Sequence, residues 1–161
     1  MIDRTVQIQL TRQSLTVLDD RKPVCEFLVS TSRYGPGERF GSQCTPRGTH
    51  IVRAKIGAGL PPGAVFIRRR FTGEIYNSDL ARRHPDRDWI LTRLMWLSGR
   101  EPGRNRYGGV DSLRRFIYIH GIPDVEPVGV PFSHGCIRMR NTDVIELYEM
   151  IDTGTIVDIT A

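Results

Sequence analysis

Two stretches of this sequence decide how it is interpreted: residues 116–121, which read Phe-Ile-Tyr-Ile-His-Gly, and residues 133–139, which read Ser-His-Gly-Cys-Ile-Arg-Met. The first is a dense run of β-forming residues, so it predicts a buried strand that carries His120 at its end. In the second, Cys136 follows a glycine and precedes a segment with helical spacing. The pattern therefore indicates a histidine and a cysteine in the connection between a buried strand and a helix.

These residue types suit nucleophilic catalysis by a thiol. A cysteine attacks as its thiolate, and a nearby imidazole, from His120 or His134, favours that form together with main-chain N–H groups at a turn. Ser133 and Gly135 are small, so the backbone can turn sharply and present N–H groups to an oxyanion, typically worth about 100- to 1,000-fold in rate per donor. The expected reaction is acyl transfer, with Cys136 as the nucleophile.

The same residues also suit two roles besides catalysis. The first is structural packing of a buried cysteine and a hydrogen-bonded histidine, although packing does not require two histidines, two glycines and a serine in one region. The second is a zinc site made of Cys44, His120, His134 and Cys136. Zinc sites usually show paired spacings such as C-x-x-C or H-E-x-x-H, and this sequence has neither. Neither a metal nor another cofactor is therefore expected.

The rest of the chain has mainly strand patterns. Alternating apolar residues predict an N-terminal hairpin over residues 6–10 and 15–17, and further strands at 24–29, 51–56, 65–67 and 155–159. Two segments show helical spacing instead. One follows Pro85, with Ile90, Leu91, Leu94, Met95 and Leu97; the other is capped by Asn141 and ends at Gly154, with Val144, Leu147, Tyr148 and Ile151. Residues 1–161 are thus expected to form one mainly β domain with two short helices.

Composition adds a charge asymmetry to this picture. The 161 residues are 39% hydrophobic and 25% charged, which is typical of an ordinary globular domain. Residues 1–115 carry 21 basic and 11 acidic side chains, a balance of +10, whereas residues 116–161 carry 2 and 7, a balance of −5. The excess of basic residues in 1–115 either attracts an anionic substrate or forms a solvated arginine-rich surface. No RNA-binding aromatic motif or helix-turn-helix pattern is present, so no nucleic-acid partner is expected.

The N-terminal sequence predicts the location of the protein. It contains an early acidic residue, Asp3, and no apolar run of the roughly 7 to 15 residues that a signal peptide needs. No stretch approaches the roughly 18 apolar residues of a membrane span. If Met1 is the natural start, a cytoplasmic protein is expected, whereas an upstream start with a leader would favour the periplasm. Cys25, Cys44 and Cys136 are an odd number, so at least one thiol is free.

Together these motifs resemble the L,D-transpeptidase catalytic domain, or YkuD domain, of bacterial peptidoglycan metabolism. That family has a histidine-glycine pair at a strand end, followed by serine-histidine-glycine-cysteine, an aliphatic residue and arginine or asparagine. His120-Gly121 and Ser133–Arg138 fit this pattern. Ser30-Thr31 and the segment Thr45–Thr49 resemble further family segments, so the resemblance covers nearly the whole chain. It implies a mainly β fold, a β-sandwich with two short helices.

The resemblance also implies a role for each motif residue. Cys136 is the nucleophile, and His120 is the general base and acid, held by the main-chain carbonyl of Gly121. The N–H groups of His134, Gly135 and Cys136 form the oxyanion hole, and Ser133 shapes the turn. Arg138 is suited to binding a substrate carboxylate, with a structural ion pair as the alternative.

The implied substrate is a tetrapeptide stem of peptidoglycan. Cys136 attacks the bond between the third residue, usually diaminopimelate, and the terminal D-Ala, and forms a thioester. Transfer to water gives a tripeptide and makes the protein an L,D-carboxypeptidase; transfer to an amine makes it an L,D-transpeptidase. The cytoplasmic expectation favours trimming of soluble muropeptides, and a missed leader would favour 3-3 crosslinking in the periplasm. An arginine-rich anion-binding module without catalysis is the alternative from another functional class.

Overall fold

The computed structural model describes residues 1–161 as ten strands, two α-helices and one short 3-10 helix at Gly108–Val110. The strands are β1 Arg4–Gln9, β2 Ser14–Asp19, β3 Lys22–Leu28, β4 Gly48–Ile56, β5 Ala64–Ile67, β6 Arg70–Ile75, β7 Ile90–Gly99, β8 Tyr118–Gly121, β9 Ile137–Met139 and β10 Ile156–Thr160. The helices are α1 Ser78–Arg83 and α2 Asn141–Met150. Neither helix has the length and apolar character needed to cross a lipid bilayer.

All ten strands belong to one hydrogen-bonded sheet. Its order is β3-β2-β1-β10-β4-β7-β5-β6, and β8 pairs with β7 on one side and with β9 on the other. The β1–β10 and β8–β9 pairs are parallel and the others are antiparallel. Ser30, two residues after β3, exchanges two 2.9 Å backbone hydrogen bonds with Arg138 of β9. The β3 end of the sheet therefore meets its β9 edge.

This curvature encloses the core. Twenty buried hydrophobic residues form one cluster, with contributions from β1, β2 and β3 and from β7, β8 and β9. Helix α2 adds Val144, Leu147 and Tyr148, which lie on one helical face. The two facing layers of the predicted sandwich are thus two regions of one folded sheet. The predicted fold class, mainly β with two short helices, is confirmed, as are the N-terminal hairpin and the strands near 24–29, 51–56, 65–67 and 155–159.

The helix predicted after Pro85 is wrong. The segment is β7, which pairs with β4, β5 and β8 and is buried on both faces along most of its length. Its pairing with β8 shifts register between Leu91 and Leu94, where Thr92 has a φ of +76°. Around this irregularity the apolar residues are three and four positions apart in the sequence, which is also the spacing of the apolar face of a helix. The other helix is α1, whose N-cap Asn77 accepts a hydrogen bond from the Leu80 N–H.

The sequence context predicted that Asn141 is the N-cap of α2, and this prediction is wrong. Arg140 occupies that position and Asn141 is the first helical residue. The Asn141 side chain accepts a 2.6 Å hydrogen bond from Thr92 Oγ1 and donates one of 2.8 Å to Ile122 O. The side chain therefore connects α2 to β7 and to the end of β8. The helix itself ends at Met150, before Gly154.

Leu97→Ala tests the place of β7 in the core. Leu97 is fully buried, whereas Leu28 at the end of β3 is 55% exposed. Removing a buried leucine side chain leaves a cavity, so Leu97→Ala should lower the free energy of unfolding by about 2–5 kcal/mol. Leu28→Ala should change it by less than about 0.5 kcal/mol. Urea denaturation measures both values, and equal losses in the two variants would contradict this placement.

Candidate active site

The parallel pairing of β8 with β9 brings His120 and Cys136 to one surface of the sheet. Ile119 pairs with Ile137, and His120 pairs with Arg138. Cys136 immediately precedes β9 and therefore lies beside Tyr118. Extending the β8–β9 register by one residue assigns Cys136 to the face that Tyr118 and His120 share, because alternate strand residues lie on one face.

His120 is 1% exposed and has a fixed orientation. Its Nδ1 lies 2.7 Å from the carbonyl oxygen of Gly121. A carbonyl only accepts hydrogen bonds, so Nδ1 carries the hydrogen and Nε2 keeps its lone pair for a proton. Burial lowers the pKa of His120 below its ordinary value of 6.5, and the nearby Asp88 carboxylate opposes part of this effect. The ring is thus a neutral base at neutral pH.

Gly121 leaves no room for a side chain. A Cβ at this position would collide with Asn141 Oδ1 and would lie 2.7 Å from the Leu91 carbonyl oxygen. Asn141 is held in turn by Thr92 Oγ1, which also accepts a hydrogen bond from the Gly63 N–H. Gly121 is therefore packed directly against Asn141 and the Leu91 backbone.

Cys136 is partly exposed, and its thiol has two backbone partners. Sγ accepts a hydrogen bond from the Tyr118 N–H and donates one to the Phe116 carbonyl, both at 3.3 Å. Burial raises the pKa of Cys136 to about 12, although the Tyr118 N–H favours the thiolate. The resting site therefore contains a neutral thiol and a neutral imidazole, and the thiol proton has to leave during attack.

The residues before Cys136 form a closed turn. Ser133 Oγ donates a 2.7 Å hydrogen bond to the Cys136 carbonyl and accepts one of 3.2 Å from the Gly135 N–H. Gly135 has a φ of +129°, a conformation that residues with a side chain rarely adopt. The N–H groups of His134 and Cys136 have no hydrogen-bond partner in the structure. These two donors are the ones available to an oxyanion.

Loop residues that the resemblance singled out hold this turn in place. Thr45 Oγ1 donates a 2.9 Å hydrogen bond to the Gly135 carbonyl and accepts one from the Ser32 N–H. The Thr31 carbonyl accepts a 2.9 Å hydrogen bond from the Ser133 N–H. Buried Gln13 binds both the N–H and the hydroxyl of Thr31. The loop is therefore tied to the N-terminal hairpin on one side and to the turn before Cys136 on the other.

Arg138 is 4% exposed and forms two ion pairs. Nη2 lies 2.9 Å from Asp88 Oδ1, and Nη1 lies 3.1 Å from Glu126 Oε1. Only Nε lacks a partner. Both terminal nitrogens are thus engaged by carboxylates of the protein itself, which is the ion-pair arrangement that the sequence left open as the alternative to substrate binding.

A cavity of about 560 Å³ contains Cys136 in its wall. Phe116 and Tyr118 flank the thiol, and the exposed His134 ring lines the cavity as well. Four arginines contribute to the wall: Arg68, Arg69, Arg114 and Arg115. The cavity wall that carries Sγ is therefore rich in cationic side chains. Cys44, His120, His134 and Cys136 do not converge as metal ligands, and no other group of three or more His, Cys, Asp or Glu side chains does so.

Comparison with known proteins identifies the family of this chain. A family model described as the YkuD L,D-transpeptidase catalytic domain matches residues 3–159. The chain belongs to this family. YkuD of Bacillus licheniformis is 48% identical over 42 residues, which are 26% of this chain and 26% of that protein.

Solved structures of L,D-transpeptidases share the fold. An L,D-transpeptidase from Mycobacterium smegmatis superposes with a TM-score of 0.58 and 18% identity, covering 99% of this chain and 59% of that chain. L,D-transpeptidase 3 from Mycobacterium tuberculosis, in complex with a faropenem-derived adduct, gives a TM-score of 0.55 and 18% identity, covering 99% and 61%. The domain described here thus spans about three fifths of the length of these solved proteins.

Sequence reasoning missed three residues of this L,D-transpeptidase-family site. Asp88 and Glu126 bind Arg138, and Thr92 braces Asn141. Asp88 lay in the segment wrongly predicted as helical, and it is 50 residues away from Arg138 in the chain. No local pattern marks a contact of that separation.

The pH dependence of Cys136 alkylation tests the neutral thiol. Because its pKa is raised to about 12, the rate with iodoacetamide should keep rising about tenfold per pH unit beyond pH 9, without levelling off. Mass spectrometry assigns the modified residue, and Cys136→Ala supplies the background from Cys25 and Cys44. A rate plateau at neutral pH would show a thiolate–imidazolium pair and would contradict this assignment.

Proposed function

We propose that this domain is a cysteine acyl-transfer enzyme that cleaves the bond before the terminal D-Ala of a tetrapeptide stem. One observation carries the proposal: a partly exposed thiol lies in a cavity wall, on the same face as a buried histidine whose Nε2 is free to accept a proton. Family membership supports peptidoglycan as the substrate class.

The residues supply each part of the reaction. His120 Nε2 takes the thiol proton as Cys136 Sγ attacks the carbonyl carbon. The N–H groups of His134 and Cys136 stabilise the oxyanion of the tetrahedral intermediate. The C–N bond then breaks, the D-Ala amine takes the proton from His120, and a thioester remains on Cys136. Attack by water or an amine, with its proton passing to His120, releases the product and restores the thiol.

Cys136→Ala and His120→Gln test these roles. Each should lower D-Ala release from a disaccharide tetrapeptide by about 1,000-fold or more, because nucleophile and base act as one unit. Cys25→Ala and Cys44→Ala are matched controls that also remove one thiol and should retain activity. Circular dichroism verifies folding of every variant. Unaltered release by folded Cys136→Ala would refute the nucleophile assignment and favour an anion-binding module.

A covalent probe gives an independent test of the nucleophile. The faropenem-derived adduct of the Mycobacterium tuberculosis relative supports the proposal that a carbapenem or penem acylates Cys136. Peptide mapping by mass spectrometry should locate the adduct on Cys136. An adduct on Cys44 would transfer the nucleophile role to the loop before Thr45.

We propose water as the main acceptor, which makes the enzyme an L,D-carboxypeptidase. The arginine-rich cavity supports this proposal, because it repels the ammonium form of an acceptor amine but not water. Incubation with disaccharide tetrapeptide should release D-Ala and accumulate disaccharide tripeptide, as measured by liquid chromatography and mass spectrometry. Crosslinked dimer without tripeptide would overturn water as the acceptor and leave the thioester step in place.

A further inference from the structure

The cavity that contains Cys136 has a cationic wall that the protein does not neutralise. Asp88 is the one carboxylate residue in its lining, and it is already paired with Arg138. None of the four wall arginines, Arg68, Arg69, Arg114 and Arg115, forms an ion pair, whereas eight other arginines do. The wall therefore presents arginines that have no carboxylate partner beside the nucleophile.

One of these four arginines has a structural task. Arg115 is half-buried, and its guanidinium donates hydrogen bonds to the carbonyl oxygens of Gly37 and Cys44 at 3.2 and 2.6 Å. These bonds hold the 37–44 loop against the cavity. Arg68, Arg69 and Arg114 make no comparable set of backbone contacts, so they are the wall arginines available to a ligand.

Arg68 and Arg69 occupy a strained turn. Ile67 pairs with Arg70, so the two arginines are the two-residue turn between β5 and β6, with φ angles of +50° and +66°. Such turns favour Asn-Gly, because residues with larger side chains are strained at positive φ. A solvated surface does not require arginine at either position, whereas a ligand-binding role accounts for both.

Arg69 is also held in one orientation. Its guanidinium lies 4.7 Å from the Trp96 ring centroid and 4.9 Å from that of Phe116, and it donates a 3.0 Å hydrogen bond to Tyr118 Oη. Phe116 and Tyr118 are the residues whose backbone contacts Cys136 Sγ. A cation that is already ordered loses less conformational entropy on binding an anion.

We propose that Arg68, Arg69 and Arg114 recognise free carboxylates of the peptide attacked by Cys136, so that the enzyme prefers stems with free carboxylates to stems in which these groups are amidated. The inference rests on the proposed acyl transfer and names a specificity that the reaction itself does not require. An amidated stem keeps its shape but loses the charges that guanidinium groups bind best.

Two tetrapeptides test this preference, one with free carboxylates on its second and third residues and one with both amidated. The ratio of their kcat/KM values should favour the free acid by about tenfold or more, mainly through KM, as expected for one charge-assisted hydrogen bond. The double variant Arg68→Asn/Arg69→Gly removes two charges and installs a favoured turn sequence, and circular dichroism verifies its folding. It should bring the ratio to within about twofold of one. Arg68→Asn alone, which leaves the Arg69 contacts to Trp96, Phe116 and Tyr118 in place, should shift the ratio in the same direction.

The matched control is Arg82→Gln/Arg83→Gln on α1, which removes two exposed arginine charges that do not line this cavity. It should keep the wild-type ratio, and raising the salt concentration should lower that ratio only in proteins that retain Arg68 and Arg69. Equal kcat/KM for both peptides in the wild type, or an unchanged ratio in Arg68→Asn/Arg69→Gly, would overturn the inference and leave the acyl transfer intact.

Binding separates this inference from the proposed function. Cys136→Ala should bind the free-acid peptide more tightly than the amidated one in calorimetry, and adding Arg68→Asn/Arg69→Gly should remove the difference. If the wild type cleaves neither peptide but this difference is present, the acyl transfer fails and the carboxylate recognition holds. Equal binding of both peptides to Cys136→Ala overturns the recognition.

Discussion

Strand β7 is the element on which the rest of the structure depends, because it hydrogen-bonds to β4, β5 and β8. Through β4 it joins the N-terminal half of the sheet, through β5 it supports the Arg68-Arg69 turn, and through β8 it positions His120. Its irregularity at Thr92 places Thr92 Oγ1 against Asn141, which packs against Gly121 and binds the Ile122 carbonyl. The backbone beside the proposed base is thus packed from the neighbouring strand.

The sequence predicts the local structure of the His120–Cys136 region but not that of β7, and the difference has a physical reason. Residues 116–121 and 133–139 have local signals, a β-forming run and small residues around a cysteine, and the structure has a strand at Tyr118–Gly121 and a turn before Cys136. Strand β7 is buried on both faces, so it lacks the alternation of apolar and polar residues that marks a half-exposed strand. Around its register shift the apolar residues are three and four positions apart, as on a helix. Partners such as Asp88 and Arg138 depend on the tertiary fold and have no local pattern.

Burial explains why the thiol and imidazole are both neutral. It raises the pKa of Cys136 and lowers that of His120, so separated charges are disfavoured at the site. The nearest fixed charges, Asp88 and Arg138, oppose each other in one ion pair. In the proposed mechanism, the proton therefore passes from Sγ to His120 Nε2 as the sulfur attacks the carbonyl carbon. A neutral thiol also reacts slowly with simple alkylating agents, because the thiolate is the nucleophilic form.

Four of the nine non-glycine residues with positive φ line the cavity, and neither residue of the proposed catalytic pair is among the nine. Gln43, Arg68, Arg69 and Phe116 all line the cavity and all have φ between +50° and +66°. Each such conformation costs on the order of 1 kcal/mol, so local contacts must hold it. The Gln43 carbonyl accepts a hydrogen bond from Ser32 Oγ, and Phe116 and Arg69 stack on each other. The wall and the thiol are nevertheless connected, because the carbonyl of strained Phe116 accepts the hydrogen bond that Cys136 Sγ donates, so the conformation of the wall also sets the position of the thiol.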